Sequence, residues 1–135
     1  MESSRIRFER TSEYDLIVIP AIIRLPAFSM KVRMAVDTGA SHSVLDANCF
    51  WMRGMDFTTR TATQAKGIGG MVNGFEIQVE SIMLQSIIRN GITLFVYDFM
   101  QAGLAEHYDG LLGLDFLSQA HFCIDSLQRH IEIRI

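Results

Sequence analysis

"MAVDTGASHS", residues 34–43, sets one carboxylate at the end of an apolar run and follows it with a hydroxyl, a glycine and a series of small and polar residues. Just upstream, "KVRMAV" sets Val32, Met34 and Val36 against Lys31 and Arg33, which is the period of a half-buried strand. That strand ends on Asp37. Asp and Gly are ordinary turn residues, so Asp37-Thr38-Gly39 taken alone reads as a strand closing into a turn. Its surroundings add to it, because Gly39-Ala40-Ser41 leaves room for another backbone or a ligand to approach. A carboxylate carried by a buried strand also needs a compensating partner.

The other apolar runs are mostly strands too. "FEIQVE" alternates Phe75, Ile77 and Val79 with Glu76, Gln78 and Glu80, and "HIEIRI" alternates Ile131, Ile133 and Ile135 with Glu132 and Arg134. "DLIVIPAII" and "GITLFVY" are continuous, as suits strands covered on both faces, with Pro20 placing the first at an edge or bulge. Turn signals at Gly39, Gly54, Gly69-Gly70, Asn73-Gly74 and Asn90-Gly91 fit an all-β chain folded as a compact antiparallel barrel or sandwich. The one helix signal is "LDFLSQA", residues 114–120, near the C-terminus. Residues 1–13 are polar and read as a loose N-terminal arm, leaving 14–135 as a single domain.

Composition narrows the function classes. The 135 residues suffice for one domain with a core. A net charge of −3 from mixed signs, with 20% charged residues, points away from nucleic acid as a partner. The longest apolar run, "LIVIPAII", is too short to cross a bilayer, and "MESSRIRFER" has charges where a signal peptide needs its apolar stretch. The expectation is a cytoplasmic protein with no membrane partner. Cys49 and Cys123 show no metal-ligand spacing, and neither a metal nor another cofactor is expected.

Two further stretches bear on Asp37. "KGIGGMVNG", residues 66–74, places glycines between strand-like arms, the mark of a tight hairpin, and its tip carries Ile68 and Met71 beside Gly69 and Gly70. Read alone, it is either a surface hairpin or a lid that closes over a ligand. "YDGLLGLDFL", residues 108–117, sets an apolar pair before Gly113, which has no side chain to collide with a neighbouring element, and then starts a helix.

In this order the three stretches resemble the retroviral-type (retropepsin-like) single-domain aspartic proteases, of the clan that includes pepsin-like enzymes. "VDTGAS" is similar to the active-site motif, "GIGG" to the flap tip, and "DGLLGLDFL" to the apolar-apolar-Gly segment with its helix. The resemblance runs from about Leu16 to Ile133. It implies a closed antiparallel acid-protease barrel with a flap hairpin and one short helix. It implies that Asp37 is the catalytic aspartate, that Thr38 locks two active-site loops together, and that Gly39 contacts substrate backbone. Ala40, Ser41 and His42 would line the pocket, with Val44, Ile68, Gly69, Gly70, Met71 and Leu111 placed as substrate-binding residues by motif position. Retroviral members often carry an acidic pair where this chain has Ser41 and His42, so its cleavage preference is expected to differ.

The chemistry adds a constraint of its own. Water attack on a peptide bond by this route needs one carboxylate to accept a proton and a second, protonated, to polarise the carbonyl. The chain has one Asp-Thr-Gly, so hydrolysis calls for a homodimer in which two Asp37 side chains meet on a symmetry axis and titrate as a coupled pair. An extended peptide or protein substrate would add a strand beneath the hairpin. The seam is expected to include Thr38 and the terminal strand with Ile131, Ile133 and Ile135. That strand also reads as an edge covered within the chain by the N-terminal arm.

Other chemistries fit less well. "GASHS" lacks the second glycine of a serine-nucleophile elbow. His42, Cys49, Cys123 and His130 have no chelating spacing, and Cys49 has bulky Phe50 and Trp51 beside it. The competing class is a catalytically silent peptide-binding or dimerisation module of the same fold.

Overall fold

The structure, a computed structural model, describes residues 3–10, 16–55, 62–67, 70–100 and 108–135. It is built around one long hairpin. Strands β3 (Ile17–Arg24) and β4 (Ser29–Val36) pair antiparallel from Val18 with Ala35 to Arg24 with Ser29. The tight turn between them is closed by Leu25 N–H donating to the Phe28 carbonyl at 2.9 Å. In β4 Val32 and Met34 are buried while Lys31 and Arg33 face water, as the alternation requires.

Pro20 lies inside this pairing rather than at an edge. On the far side of β3, β2 (Glu9–Arg10) pairs with Ile17 and Val18, and β8 (Ser81–Leu84) pairs with residues from Ile22 onward. Pro20 falls between the two ladders, where a missing N–H leaves no bond unmade.

Downstream of Asp37 come β5 (Val44–Asp46) and a short helix α1 (Ala47–Trp51), then the hairpin of β6 (Thr63–Gly67) and β7 (Gly70–Gln78). Next are β8, β9 (Ile87–Asn90), β10 (Thr93–Tyr97), β11 (Gly110–Leu112), helix α2 (Leu114–Leu117), β12 (His121–Asp125) and β13 (His130–Arg134). Leu94, Phe95 and Val96 of β10 are all buried, as their continuous apolar run requires. The larger sheet runs β6-β7-β10-β5-β11-β4-β3-β8-β9, with β2 beside β3, and the smaller runs β1-β13-β12, β1 being Ser3–Arg7.

Several expectations change. The fold is mainly β, but its sheets are open rather than closed into a barrel: the strand path ends at β6 and β9. The pairing is mixed, because β10 runs parallel to β5 and β11 parallel to β4. Among the described residues two short helices form where one was expected. Helix α1 has no apolar period to reveal it, and its start is set by Asp46, which accepts from Asn48 N–H at 3.2 Å. Asn73 and Gly74 lie inside β7, paired with Gln64 and Thr63, and make no turn.

The first residues also differ from a loose arm. Ser3–Arg7 pair with β13 over five residues, and Ile6 and Phe8 are buried in the core. With β1 on one side and β12 on the other, β13 has no free edge, and Ile131 and Ile133 face this chain's own core. The terminal strand is therefore internal and cannot supply a backbone seam to a second copy.

Candidate active site

β11 enters the sheet between β4 and β5, the two strands that the Asp37 loop connects. Leu111 sits level with Ala35 on one side and Val44 on the other. The loop must therefore cross the end of β11, and it crosses at Gly113. A Cβ on Gly113 would lie 2.7 Å from the Ala40 carbonyl oxygen and 2.8 Å from the carbonyl carbon and oxygen of His42, all backbone atoms. Only a residue without a side chain fits there.

Hydrogen bonds fix the crossing at both ends. Asp37 N–H donates to the Leu112 carbonyl at 3.0 Å, which continues β4 one residue along β11. Helix α2 opens with N–H groups that have no partner inside the helix. The loop supplies acceptors, Leu114 N–H donating to the Ala40 carbonyl at 2.8 Å and Asp115 N–H to that of Ser41 at 3.2 Å. Phe116 and Leu117, both fully buried, anchor the helix beneath.

Ser43 completes the brace. It is fully buried and each of its polar groups is bonded: N–H to Asp115 Oδ2 at 2.8 Å, O–H to Asp115 Oδ1 at 2.6 Å, Oγ accepting from Gly113 N–H at 3.0 Å, and carbonyl accepting from Phe95 N–H at 3.2 Å. Neither Ser43 nor Asp115 was singled out from the sequence. The available signal was Asp115, a carboxylate set between apolar Leu114 and Phe116 on a segment already judged to matter; Ser43, following Ser41 and His42, gave none.

Asp37 is half-buried. Gly39 N–H donates to its Oδ1 at 2.9 Å, orienting the carboxylate, while Oδ2 takes no hydrogen bond among the described residues. Thr38 and Gly39 are exposed on this single chain and Ala40 is half-buried. Ser41 and His42 are exposed and bonded to each other, Oγ to Nδ1 at 2.9 Å. The structure thus brings Asp37, Thr38, Gly39, Ala40, Ser41, His42, Val44 and Leu111 into one region. Gly70 and Met71 begin β7 in solvent and share no hydrogen bond with the loop. Ile68 and Gly69 lie outside the described residues. A groove of about 540 Å³ between the β3–β4 turn and the end of α1, lined by Leu25, Phe28, Arg53, Met55 and Ile77, contains none of these residues.

Among the described residues no three His, Cys, Asp or Glu side chains are grouped to hold a metal ion, and no helix is long and apolar enough to cross a membrane. The charged site chemistry visible here is one oriented carboxylate on a loop locked to a crossing strand.

Residues 29–119 match the model of the gag-polyprotein putative aspartyl protease family, and since this is more than half of the chain, the chain belongs to that family, within the retropepsin-like aspartic proteases. Its fold is shared with the crystal structure of a retropepsin-like aspartic protease from Rickettsia conorii, at a TM-score of 0.65 and 21% identity, over 98% of this chain and 90% of that one. No curated protein sequence matches it.

Proposed function

We propose that two copies of this chain form an aspartic endopeptidase in which paired Asp37 carboxylates activate water for attack on a peptide bond. The observation that carries this reading is Asp37 itself: a single carboxylate, oriented through Oδ1 by Gly39, with Oδ2 taking no hydrogen bond among the described residues and the adjacent Thr38 exposed on the lone chain. One such group performs half of the acid–base chemistry, and a second copy supplies the other half. Family membership supports the reaction class.

In this reading one Asp37 accepts the proton of water while its counterpart, protonated, donates to the substrate carbonyl; the first then passes its proton to the leaving nitrogen as the counterpart takes back a proton from the collapsing diol. The substrate lies extended across Gly39 and Ala40 and pairs through its backbone, with side chains alternating between walls that include Val44 and Leu111. The hairpin β6–β7, with Gly70 and Met71 at its exposed end, acts as the flap that closes over the peptide and excludes water. His42 and Ser41 line the margin where side-chain preference is set.

The test compares wild type with Asp37→Asn. Both are incubated with a mixed peptide library from mildly acidic to neutral pH, cuts are read by mass spectrometry, and the association state is measured by sedimentation. Wild type is expected to cut and the variant to cut at least a thousandfold more slowly, with both dimeric. A dimeric wild type that cuts nothing returns the protein to the peptide-binding class. A strictly monomeric protein that cuts overturns the paired carboxylate.

A further inference from the structure

The small sheet β1-β13-β12 buries one face and leaves the other in water. Ile6, Ile131 and Ile133 point to the core, so by alternation Arg5 and Arg7 of β1, Glu132 and Arg134 of β13 and Asp125 of β12 point outward, and all five are exposed. The registers set them in rows. Arg134 is level with His121 at one end, Arg5 with Glu132 in the middle, and Arg7 with His130, itself level with Asp125, at the other end, where exposed Arg129 precedes β13.

The chain carries 15 acidic against 12 basic residues, so this face, with four arginines to two carboxylates, has the opposite sign to the whole. Both carboxylates are already held. Glu132 Oε1 lies 3.8 Å from Arg5 Nε, and Asp125 Oδ1 accepts from Leu127 N–H at 3.1 Å and from Gln128 N–H at 3.0 Å. Arg7, Arg129 and Arg134 have no ion pair among the described residues. A positive face on a negative chain steers an anionic partner to that face and away from the rest.

We propose that this face docks an extended acidic segment of another protein, its carboxylates held at two poles, Arg134 at one and Arg7 with Arg129 at the other. The site lies in a sheet separate from that of the Asp37 loop and does not depend on the reaction proposed above. Arg7 is level with His130, four residues from Arg134 along β13, which puts the poles roughly 13 Å apart at about 3.3 Å per residue. Side chains i and i+4 of an extended peptide have the same separation and face the same way, so Glu-x-x-x-Glu presents one carboxylate to each pole. Guanidinium groups bind carboxylates through paired N–H donors. The residue at i+2 faces the Arg5–Glu132 pair and is neutral. A phosphate chain fits less well, because its charges recur at every nucleotide and one would meet Glu132 between the poles.

The test measures binding of a fluorescein-labelled peptide with the core Glu-Ser-Gln-Ser-Glu to the full chain by fluorescence anisotropy. Wild type is expected to bind it, and more weakly as salt rises. The double variant Arg7→Glu, Arg134→Glu should bind roughly tenfold more weakly or worse, and Arg7→Gln, Arg134→Gln should fall between it and wild type. Circular dichroism should show both variants folded, since neither arginine has an ion pair to lose. The control, Arg24→Glu with Lys31→Glu, makes the same change in net charge at exposed positions of β3 and β4 and should bind within about twofold of wild type. A wild type that does not bind the peptide at low salt overturns the proposal. So does a control that loses as much as the Arg7, Arg134 variants, or a Gln-Ser-Gln-Ser-Gln probe that binds as tightly. A thymidine oligonucleotide of equal charge that binds more tightly than the peptide at the same salt would assign the face to nucleic acid and overturn the acidic-protein reading.

Discussion

Ser43 Oγ donates to Asp115 Oδ1 over 2.6 Å, and Ser43 N–H donates to the same carboxylate's Oδ2 over 2.8 Å. These bonds span 72 residues and lock the loop that carries Asp37 to the helix that follows β11. Removing the acceptor strands two donors of a fully buried residue. Asp115→Ala is expected to cost about 2 to 4 kcal/mol, and Asp115→Asn, which keeps one acceptor oxygen, about half as much. Urea unfolding measures both. Cleavage by the alanine variant should fall further than its folded fraction accounts for, because the loop then loses the register that sets Asp37. Wild-type stability in both variants would mean that the brace carries no load.

Gly113 tests the crossing itself. In Gly113→Ala the new methyl meets three backbone atoms at 2.7 to 2.8 Å, none of which moves without shifting the Asp37 loop. The expected loss is about 2 to 4 kcal/mol with cleavage abolished. Gly54→Ala is the control: its φ of +78° strains alanine, but nothing lies within 4 Å, so a loss of about 1 kcal/mol is expected. Equal losses in the two variants would remove the steric account.

Several local features around the Asp37 loop were legible in the sequence. The alternation in β4, the continuous run in β10 and the glycine before α2 each carry a local physical cause, and each appears where the pattern placed it. What stayed hidden depends on partners distant in sequence. Nothing in "SSRIR" shows that Ile6 will be covered by β13, and nothing in "SHSVL" shows that Ser43 turns inward to meet Asp115. Asn73-Gly74 reads as a turn until β6 pairs across it. Sheet closure also failed as an expectation, since which strands end the path is decided by pairing over the whole chain.

Strand β1 gives a stability prediction. Ile6 and Phe8 are 1% and 2% exposed, so removing residues 1–8 uncovers their share of the core and leaves β13 with an open edge. The truncated chain is expected to lose about 4 kcal/mol, an upper estimate from full burial of two large side chains. Thermal unfolding followed by circular dichroism would show a clear fall in midpoint. An unchanged midpoint would restore the loose-arm reading of this segment.

Cys49 gives a pH prediction. Burial, with the Asp109 and Asp46 carboxylates adding to it, pushes its thiol from an ordinary 9.0 up to about 12, against a smaller opposing effect of Arg53. Above pH 9 the unfolded chain releases this proton while the folded chain keeps it, so unfolding is favoured as pH rises. The stability is fully present below pH 9 and is lost between pH 9 and about 12, at up to about 1.4 kcal/mol per pH unit. Tyr97, raised from 10.0 by burial first and then by Tyr108 and Asp46, adds a loss of the same sign at higher pH, so the interval from 9 to 10 isolates the thiol. Urea midpoints across that interval should fall in wild type and stay nearly level in Cys49→Ala, whatever that variant's overall stability. Iodoacetamide at pH 8 should label Cys123 alone in the folded protein and both cysteines in urea. A Cys49 that labels in the native state as fast as Cys123 would place its thiol in solvent and remove the basis of the alkaline loss.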